Sequence, residues 1–321
     1  MRKVACWGLG THALRNLLPA LKSSTRIELI GAWTRNQTVL SRVSSEYQIH
    51  PYSNEKELLD DPQIDTIILA TPTGLHLQQG KQVIDAGKHL WCEKSVIVPK
   101  NSELLDRAVA NRLEVNELFM FLYHPQFAEL SSILSSGELG RLFSLTCRFG
   151  IPHLSTENVR YDHSLGGGSL LDAGCYPVAA AHALIGSSPQ KITSFLSTES
   201  GFSVDTYGRA LFEYESGVSA FLEWGFGLSY VNEIQAWCEE GHISVQRAFS
   251  KPAELKTSIR IMKSDGSIEE IEIVPNNHFL TMFNSYCNRT DHHWIANQSN
   301  LVREIVDCSA KDWGSDVEFI W

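Results

Sequence analysis

The chain has 321 residues, of which 43% are hydrophobic and 20% charged, a balance typical of a folded globular protein long enough for two domains. Its formal net charge is -10 and it has no Lys/Arg cluster, so the basic surface that drives nucleic-acid binding is lacking and no such partner is expected. Neither an apolar run of the ~20 residues that span a bilayer nor a signal-peptide pattern is found, which predicts a cytoplasmic protein without a membrane partner.

The first part of the chain alternates between short apolar runs and helical patterns. Val4-Ala5-Cys6-Trp7 is an apolar run that ends at a glycine, which is typical of a strand buried on both faces of a parallel sheet. The leucines from Leu14 to Leu21 then recur with helical spacing. Further strands are expected at 27–33, 66–70, 89–92 and from 115, and further helices at 55–59, 77–86 and 104–109. This alternation predicts an α/β Rossmann domain over residues 1–121.

The pattern changes after residue 140, where alternating apolar and polar residues predict strands. These strands are expected at 142–149, 191–196, 208–214, 218–224, 233–238, 243–245, 258–262 and 268–274. The turn at Asp265-Gly266 is a strong hairpin signal. Helices from His124 and Leu170 should cover the apolar face of the sheet, and a last helix is expected around 302–306. Residues 122–321 are therefore predicted to form an α+β domain with an open, mostly antiparallel sheet for substrate binding and oligomerisation.

A glycine loop separates the first strand from the first helix. The run Gly8-Leu9-Gly10-Thr11-His12-Ala13 fits the pattern GxGxxA. Its first glycine allows a tight turn, its second lets backbone N–H groups approach a pyrophosphate, and a small third residue permits close packing of helix and strand. The alternative is an ordinary glycine turn. Because the loop stands between the right elements, we expect it to bind a dinucleotide at the helix N-terminus.

The end of the second predicted strand bears on the choice of cofactor. An NAD-selective Rossmann domain usually carries Asp or Glu there to hold the ribose 2′-hydroxyl. This stretch has no carboxylate and ends at Thr34-Arg35, whose guanidinium suits a 2′-phosphate. The alternative is an ordinary surface arginine. The pattern favours NADP(H) over NAD(H), and the scattered histidines and cysteines predict no metal site.

Two more stretches, 70–76 and 92–95, follow predicted parallel strands, where ligands bind in open α/β sheets. With them, the chain resembles the glucose–fructose oxidoreductase / inositol dehydrogenase / MocA (Gfo/Idh/MocA) family over essentially its whole length. The motifs that carry the resemblance stand in family order: the glycine loop, TPTGLH at 71–76, the run 87–94 from GKH into EK, and GGGSLLDAGCYP at 166–177.

The resemblance implies a role for several positions. Lys94 takes the place of the lysine beside the nicotinamide and the substrate oxygen, while Asp172 and Tyr176 match the acidic and tyrosine positions of the later motif. A lysine can polarise a carbonyl and a phenol can deliver a proton, with Asp172 orienting the sugar or tuning Lys94. The expected cofactor contacts are Gly8, Gly10, Thr11, His12, Ala13, Thr34, Arg35, Thr71, Pro72, Thr73, His76, Glu93 and Lys94. The expected substrate contacts are Tyr123, His124, Gln126, Arg160, Asp162, His163 and Tyr176. Without the resemblance, the simpler interpretation is that Lys94 is a solvent-exposed lysine at the end of a strand and Tyr176 a tyrosine packed against the core on a helix.

Two positions depart from the wider family. Ser95 replaces the usual proline, and Leu122 stands where sugar and dihydrodiol dehydrogenases often carry arginine. The stretches 119–126, 230–234 and 247–249, with Trp237 and Gly241, are instead similar to the NDP-hexose 3-ketoreductases. This similarity implies NADPH-dependent reduction of a keto-sugar, a nucleotide-linked 3-keto-deoxyhexose, by hydride transfer.

Three other functions remain open at this stage. A free-sugar or trans-dihydrodiol dehydrogenase using NADP would suit Arg160-Tyr161-Asp162, although Leu122 speaks against it. An NAD-dependent glycosidase is also known in the family. A cofactor-sensing regulator without catalysis is the third, and the retention of Lys94 and Tyr176 argues against it. Family members commonly pair through the open face of the second sheet. The apolar residues of this sheet, such as Ala220, Leu222 and Trp224, present more apolar surface than two helices readily cover. We therefore expect a homodimer or homotetramer.

Overall fold

The computed structural model describes residues 1–97, 103–287 and 292–313. These residues form two compact units. The first unit holds the described residues of 1–118 and 279–299, and the second holds 119–278 and the described chain from residue 300. The first unit thus includes a segment from late in the chain, which a single boundary after residue 121 does not anticipate. No helix within these ranges has the length and apolar character needed to cross a bilayer.

The first unit contains a six-stranded sheet. Its strands are β1 Arg2–Trp7, β2 Ile27–Trp33, β3 His50–Pro51, β4 Thr66–Leu69, β5 His89–Cys92 and β6 Val115–Glu117. They lie in the order β3-β2-β1-β4-β5-β6, and all neighbouring pairs are parallel. The strand order reverses between β1 and β4, which is the switch point where such sheets bind ligands. The predicted Rossmann fold is confirmed.

Helices pack on this sheet: α1 Leu18–Ser23, α2 Gln37–Tyr47, α3 Glu55–Asp60, α4 His76–Asp85 and α5 Glu103–Ala110. A π-helical turn over Ala13–Leu17 leads into α1, and Leu17, Leu18 and Leu21 are buried as their spacing predicts. Helix α2 was not predicted. It starts at Asn36, whose side chain accepts a hydrogen bond of 3.1 Å from the backbone N of Val39, a helix-start signal that the sequence does contain.

The second unit is built on an eight-stranded sheet. Its strands are β7 Leu142–Ile151, β8 Lys191–Ser197, β9 Tyr207–Glu213, β10 Ser219–Phe226, β11 Val231–Cys238, β12 Gly241–Gln246, β13 Thr257–Lys263 and β14 Ile268–Ile273. They lie in the order β14-β13-β12-β11-β7-β10-β9-β8. Every neighbouring pair is antiparallel except β10 with β7. This confirms the prediction of a mostly antiparallel sheet.

One face of this sheet is covered by α6 Pro125–Ser136 and α7 Cys175–Ile185, the latter preceded by a π-helical turn over Leu170–Gly174. Packing there is close, because a Cβ atom on Gly174 would lie 2.7 Å from the ring of Trp224. Ala220, Leu222 and Trp224 are buried on this face. The expectation that they leave apolar surface for oligomerisation is therefore wrong, because the chain's own helices cover them.

The last two helices within the described residues are α8 His278–Tyr286 and α9 His292–Trp313. Within the first unit, Trp91 of β5 stacks on Phe283 of α8 with ring centroids 5.8 Å apart. Within the second unit, Ser194 of β8 donates a hydrogen bond to the backbone carbonyl of Ile305 in α9. The predicted C-terminal helix is thus present, but α8 had no counterpart among the predicted elements.

Candidate functional site

The glycine loop follows β1 in the first unit. Gly8 has φ +105°, and a Cβ atom there would lie 2.6 Å from the backbone oxygen of Ala70 after β4. Apart from Gly10 and its two chain neighbours, no atom of the described residues lies within 4 Å of a Cβ atom built on Gly10. The first glycine is therefore required by the backbone and the neighbouring strand, whereas the second leaves open space that a pyrophosphate could fill.

A cleft of about 350 Å³ lies beside this loop. Its lining includes six of the residues expected at the cofactor, namely Gly8, Gly10, Thr34, Arg35, Thr71 and Pro72. Sequence reasoning missed Trp7, Leu9, Trp33, Glu55, Ala70, Leu75, Gln78, Gln79 and Gln82, which also line it. The glutamines share the first turns of α4, so the expected placement of that helix after the 70–76 stretch could have identified them. The cleft's position at the switch point fits a bound dinucleotide.

The cleft is lined by one positively and one negatively charged side chain, which follow β2 and β3 in the chain. Arg35, two residues after β2, is exposed, and Glu55 at the start of α3 is also exposed and lines the same cleft. A guanidinium suits a 2′-phosphate, while a carboxylate suits a ribose hydroxyl. Glu55 lies outside the stretch considered in the sequence analysis, and it adds a carboxylate to the same cleft.

His76 lies inside the first unit. Its Nε2 is 2.8 Å from the backbone oxygen of Thr71 and its Nδ1 is 3.2 Å from that of Ser95. Burial lowers the pKa of His76, so the ring is neutral near pH 7. The ring lies between the segments that follow β4 and β5, and because a neutral ring has one N–H it donates to one of these two carbonyl oxygens. Its effect on a cofactor would pass through the backbone of Thr71.

Glu93 and His12 form a pair next to Lys94. The Nε2 of His12 donates to Oε1 of Glu93 over 3.1 Å, while its Nδ1 accepts from the side chain of Asn16. Burial by itself would raise the pKa of Glu93, but its interactions with His12, including the hydrogen bond, and the charge of Lys94 bring it below its ordinary value. Glu93 is therefore an anion beside Lys94, which is half-buried.

Tyr176 stands near the start of α7 in the second unit. Its side chain is 6% exposed, and its hydroxyl donates to Sδ of Met120 over 3.7 Å. Its ring lies 5.3–5.8 Å, between centroids, from the rings of Phe119, Phe121, Phe149 and Phe249. This packing holds the phenol in one orientation, which a fixed proton donor requires.

Arg160 is paired with Asp172, which precedes Tyr176 by one helical turn. Its Nε donates to Oδ2 of Asp172 over 2.6 Å. The charge of Asp172 raises the pKa of Arg160 most, and Tyr176 adds to the rise. Asp172 was expected to orient the sugar or to influence Lys94. Within this unit its side chain accepts a hydrogen bond from Arg160.

Asp205 was missed by sequence reasoning and holds the start of the helical segment that carries Asp172 and Tyr176. Its Oδ2 accepts from Oγ of Ser169 over 2.6 Å and from the backbone N of Leu170 over 2.7 Å. Burial raises the pKa of Asp205 to about 6.

The other predicted substrate residues divide into two groups. His124 and Gln126 are buried, with Nδ1 of His124 accepting from the backbone N of Gln126 and the Gln126 amide donating to Gln246 and Ser258. Asp162 is exposed, and its Oδ1 accepts from the backbone and hydroxyl of Ser164. Tyr123 and His163 are partly exposed. Of the predicted residues, Arg160 and Asp172 are therefore brought into contact one helical turn from Tyr176, while His124 and Gln126 form hydrogen bonds within the unit.

Comparison with known proteins identifies the chain's family. Residues 2–115 match the family model described as an oxidoreductase family with an NAD-binding Rossmann fold, and residues 127–244 match that of the GFO/IDH/MocA C-terminal domain. A dTDP-3,4-didehydro-2,6-dideoxy-alpha-D-glucose 3-reductase of Saccharopolyspora spinosa is 32% identical over 277 residues, covering 84% of this chain and 82% of the relative. The chain belongs to the Gfo/Idh/MocA oxidoreductase family. This confirms the resemblance inferred from the motifs.

Two further proteins are similar to this chain of the Gfo/Idh/MocA family. KijD10, a 3-ketoreductase from Actinomadura kijaniata solved in complex with NADP and TDP-benzene, matches with a TM-score of 0.90 and 26% identity over 95% of this chain and 97% of its own. Two variants of KijD10 were also solved with TDP-benzene and NADP, each at 25% identity to this chain. The variant with a tyrosine changed to phenylalanine has a TM-score of 0.88 and covers 98% of this chain and 97% of its own. The variant with a lysine changed to alanine has a TM-score of 0.87 and covers 95% of this chain and 97% of its own. A D-xylose 1-dehydrogenase (NADP(+)) of Haloferax volcanii is 28% identical and covers 75% of either chain.

Proposed function

We propose that this protein uses NADPH to reduce the keto group of a nucleotide-linked sugar, a dTDP-linked 3-keto-deoxyhexose. The observation that carries the proposal is the 32% identity to a dTDP-sugar 3-reductase over 84% of the chain. The fold agrees over a still larger share with KijD10, which was solved with NADP and TDP-benzene. A keto-sugar reductase also explains why a dinucleotide cleft and a cluster of proton-donating and charged side chains are retained in one chain.

The cleft beside Gly8 is proposed to hold the dinucleotide. The open space at Gly10 fits a pyrophosphate, and Arg35 fits the 2′-phosphate that distinguishes NADPH. Thr71 supports this wall of the cleft, because its hydroxyl donates to the side chain of Gln79 over 2.6 Å. Bound NADPH supplies the hydride that reaches the keto carbon.

Lys94 and Tyr176 are proposed to act on the substrate oxygen. As the carbonyl is reduced, its oxygen gains negative charge, which the ammonium group of Lys94 stabilises. Tyr176 donates its phenolic proton to that oxygen, completing the alcohol, and solvent returns a proton to the phenolate. Arg160, held by Asp172, stabilises the phenolate in the interval. One solved variant of KijD10 replaces a tyrosine and another replaces a lysine, the same two residue types that we propose here.

The test is a comparison of substrates under matched conditions. NADPH consumption is followed with the dTDP-linked 3-keto-2,6-dideoxyhexose, and NADP⁺ reduction is followed with D-xylose at the same enzyme concentration. The proposal predicts a kcat/KM for the nucleotide sugar at least about a hundredfold above that for xylose, since binding energy from the nucleotide is used in the reaction. Activity on xylose alone would establish the free-sugar dehydrogenase instead. Glycoside cleavage with no net cofactor turnover would establish the glycosidase, and cofactor binding without any turnover the regulator.

We also propose that the protein is a homodimer or homotetramer that pairs through the uncovered face of the second sheet. Phe221 of β10 and Trp237 of β11 are 45% and 58% exposed. Residues paired across neighbouring strands share a face, and Thr146 of β7 is paired both with Phe221 and with Gln235 of β11. Trp237 is two residues after Gln235, so its side chain is on the same face as that of Phe221. Exposed aromatic side chains on one sheet face are typical of an association surface. The cytoplasmic location expected from the sequence stays a prediction.

A further inference from the structure

A buried carboxyl group lies beside the segment that carries Lys94. Glu117 is the last residue of β6, and its partner in the parallel register is Cys92, the last residue of β5. It is 4% exposed. Because β5 continues directly into Glu93 and Lys94, the end of β6 runs alongside this segment. None of the sequence motifs pointed to Glu117.

One oxygen of this group holds the chain just after the lysine. Oε1 of Glu117 accepts a hydrogen bond of 2.6 Å from the backbone N of Val96, two residues beyond Lys94. The backbone oxygen of Val96 accepts from Oγ of Ser299 over 2.7 Å, and the backbone oxygen of Glu117 accepts from the hydroxyl of Tyr286. The segment from Lys94 to Val96 is therefore fixed from both sides within the first unit.

The other oxygen has an unusual environment. Oε2 of Glu117 is buried and has no hydrogen-bond partner among the described residues. An ionised carboxylate with one oxygen in such a place loses its hydration without compensation, whereas the neutral acid loses much less. Burial accordingly raises the pKa of Glu117 to about 8; Glu93 adds to the rise, while the Val96 N–H and the charge of Lys94 oppose it. At neutral pH the group carries a proton.

Among the described residues, the titratable groups around Glu117 are Cys92 on β5, Tyr286 on α8, and the neighbouring Glu93 and Lys94. Burial raises the pKa of Cys92 well above its ordinary value, and Glu117 and Glu93 add to that rise, so this thiol stays neutral. Glu93 is the anion, paired with His12. While Glu117 holds its proton, the negative charge next to Lys94 is that of Glu93.

We propose that Glu117 is a positioning residue for Lys94: it fixes the lysine's segment through Val96 and stays neutral so that no second carboxylate opposes the lysine's charge. This inference rests on the proposed function, because it concerns the lysine that stabilises the substrate oxygen. When Glu117 ionises, its negative charge weakens the positive field of Lys94 at that oxygen, and reduction slows. Activity should therefore fall as the pH rises through the titration of Glu117.

Two substitutions separate the anchoring from the charge. Glu117→Gln is neutral at every pH and keeps an oxygen that can accept from Val96, whereas Glu117→Leu is of similar size but has no acceptor. We expect kcat of Glu117→Gln to stay within about threefold of the unchanged protein at pH 7, with the alkaline fall in its pH profile moved up by at least about one pH unit. Glu117→Leu should lose about tenfold in kcat across the whole range, with KM for NADPH little changed.

A second readout needs no substrate. The lysines are labelled by reductive methylation with ¹³C-formaldehyde, and the NMR signal of Lys94 is assigned by its absence from Lys94→Ala. Its shift should show a step near pH 8 in the unchanged protein that is missing in Glu117→Gln. If that step is seen but no keto-sugar is reduced, the relation between the two residues stands and the proposed function fails. If the step and the alkaline fall are the same in Glu117→Gln, or if Glu117→Leu keeps full kcat, the inference is overturned.

Discussion

Nε of Arg160 donates a hydrogen bond of 2.6 Å to Oδ2 of Asp172, one helical turn before Tyr176. This pair holds a positive charge beside Asp172, one helical turn from the residue whose phenol we propose as proton donor, and Tyr176 adds to the raised pKa of Arg160. A nearby cation stabilises the phenolate left after proton transfer, so the pair should matter to the chemical step.

Arg160→Gln is therefore expected to lower kcat on the order of tenfold, because the phenolate loses its neighbouring charge. Steady-state kinetics with the keto-sugar measures this. The matched control is Arg141→Gln, which breaks an exposed ion pair with Glu239 in the same unit and should leave kcat unchanged. A rise in KM with normal kcat would instead make Arg160 a substrate contact, as the sequence first suggested.

The affinities for NADPH and NADH test the roles of Arg35 and Glu55, the two charged residues of the cleft. NADPH should bind more tightly than NADH, and Arg35→Ala should narrow the difference by about 1–2 kcal/mol, the scale of a charge-assisted hydrogen bond. Glu55→Gln removes the carboxylate of the same cleft and should leave NADPH binding intact. Fluorescence titration of the three proteins with both cofactors gives the six affinities. Equal affinities in the unchanged protein would show that Arg35 does not select the phosphate.

The pH dependence of stability tests the charge state of Glu117 without any ligand. Its pKa is raised by burial to about 8 in the folded chain and returns to its ordinary value near 4.5 on unfolding. Folding therefore takes up a proton, and the stabilising contribution of the neutral acid, complete below about pH 4.5, is lost as the pH rises to about 8, by up to about 1.4 kcal/mol per pH unit.

Glu117→Gln lacks this loss, so its free energy of unfolding should rise relative to the unchanged protein between about pH 5 and 8. Urea unfolding at several pH values measures the difference, and the similar titration of Asp205, whose pKa burial raises to about 6, is present in both proteins and cancels. A difference that is constant with pH would mean that Glu117 is ionised in the folded protein throughout.

Assembly tests the uncovered face of the second sheet. Light scattering at micromolar concentration should give a dimer or tetramer, and replacing Phe221 and Trp237 together by serine should shift it towards monomer, since both exposed aromatic rings lie on that face. Val109→Ser removes a similarly exposed apolar side chain from α5 of the other unit and should change nothing. A monomeric unchanged protein would refute the proposal.

Sequence reasoning recovered the fold well, because strand and helix periods and glycine turns are local signals. The strand at 89–92 and the hairpin at Asp265-Gly266 appear where predicted. The assignment of 279–299 to the first unit could not be read from the chain, since it depends on which surfaces α8 covers. Glu117 and Asp205 were missed for a related reason: a buried carboxyl group has no motif, and its partners come from distant segments.

The catalytic proposal is tested by substitutions of its two central residues. Lys94→Ala should lower kcat by about 10²–10³-fold, the loss seen when a group that stabilises a developing oxyanion is removed. Tyr176→Phe keeps the packed ring and removes the hydroxyl, and should cost on the order of 10²-fold with NADPH affinity nearly unchanged. Unchanged kcat in either variant, on a keto-sugar that the unchanged protein reduces, would remove that residue from the mechanism.

The most direct measurement is the transfer of deuterium from NADPH labelled at the transferring position of nicotinamide C4 to the dTDP-linked 3-keto-sugar, followed by mass spectrometry and NMR of the product. The proposed function predicts one deuterium per product molecule, bound to the reduced sugar carbon, with one NADPH consumed for each alcohol formed. A product without deuterium at that carbon, or no consumption of NADPH with any nucleotide-linked keto-sugar, would contradict it.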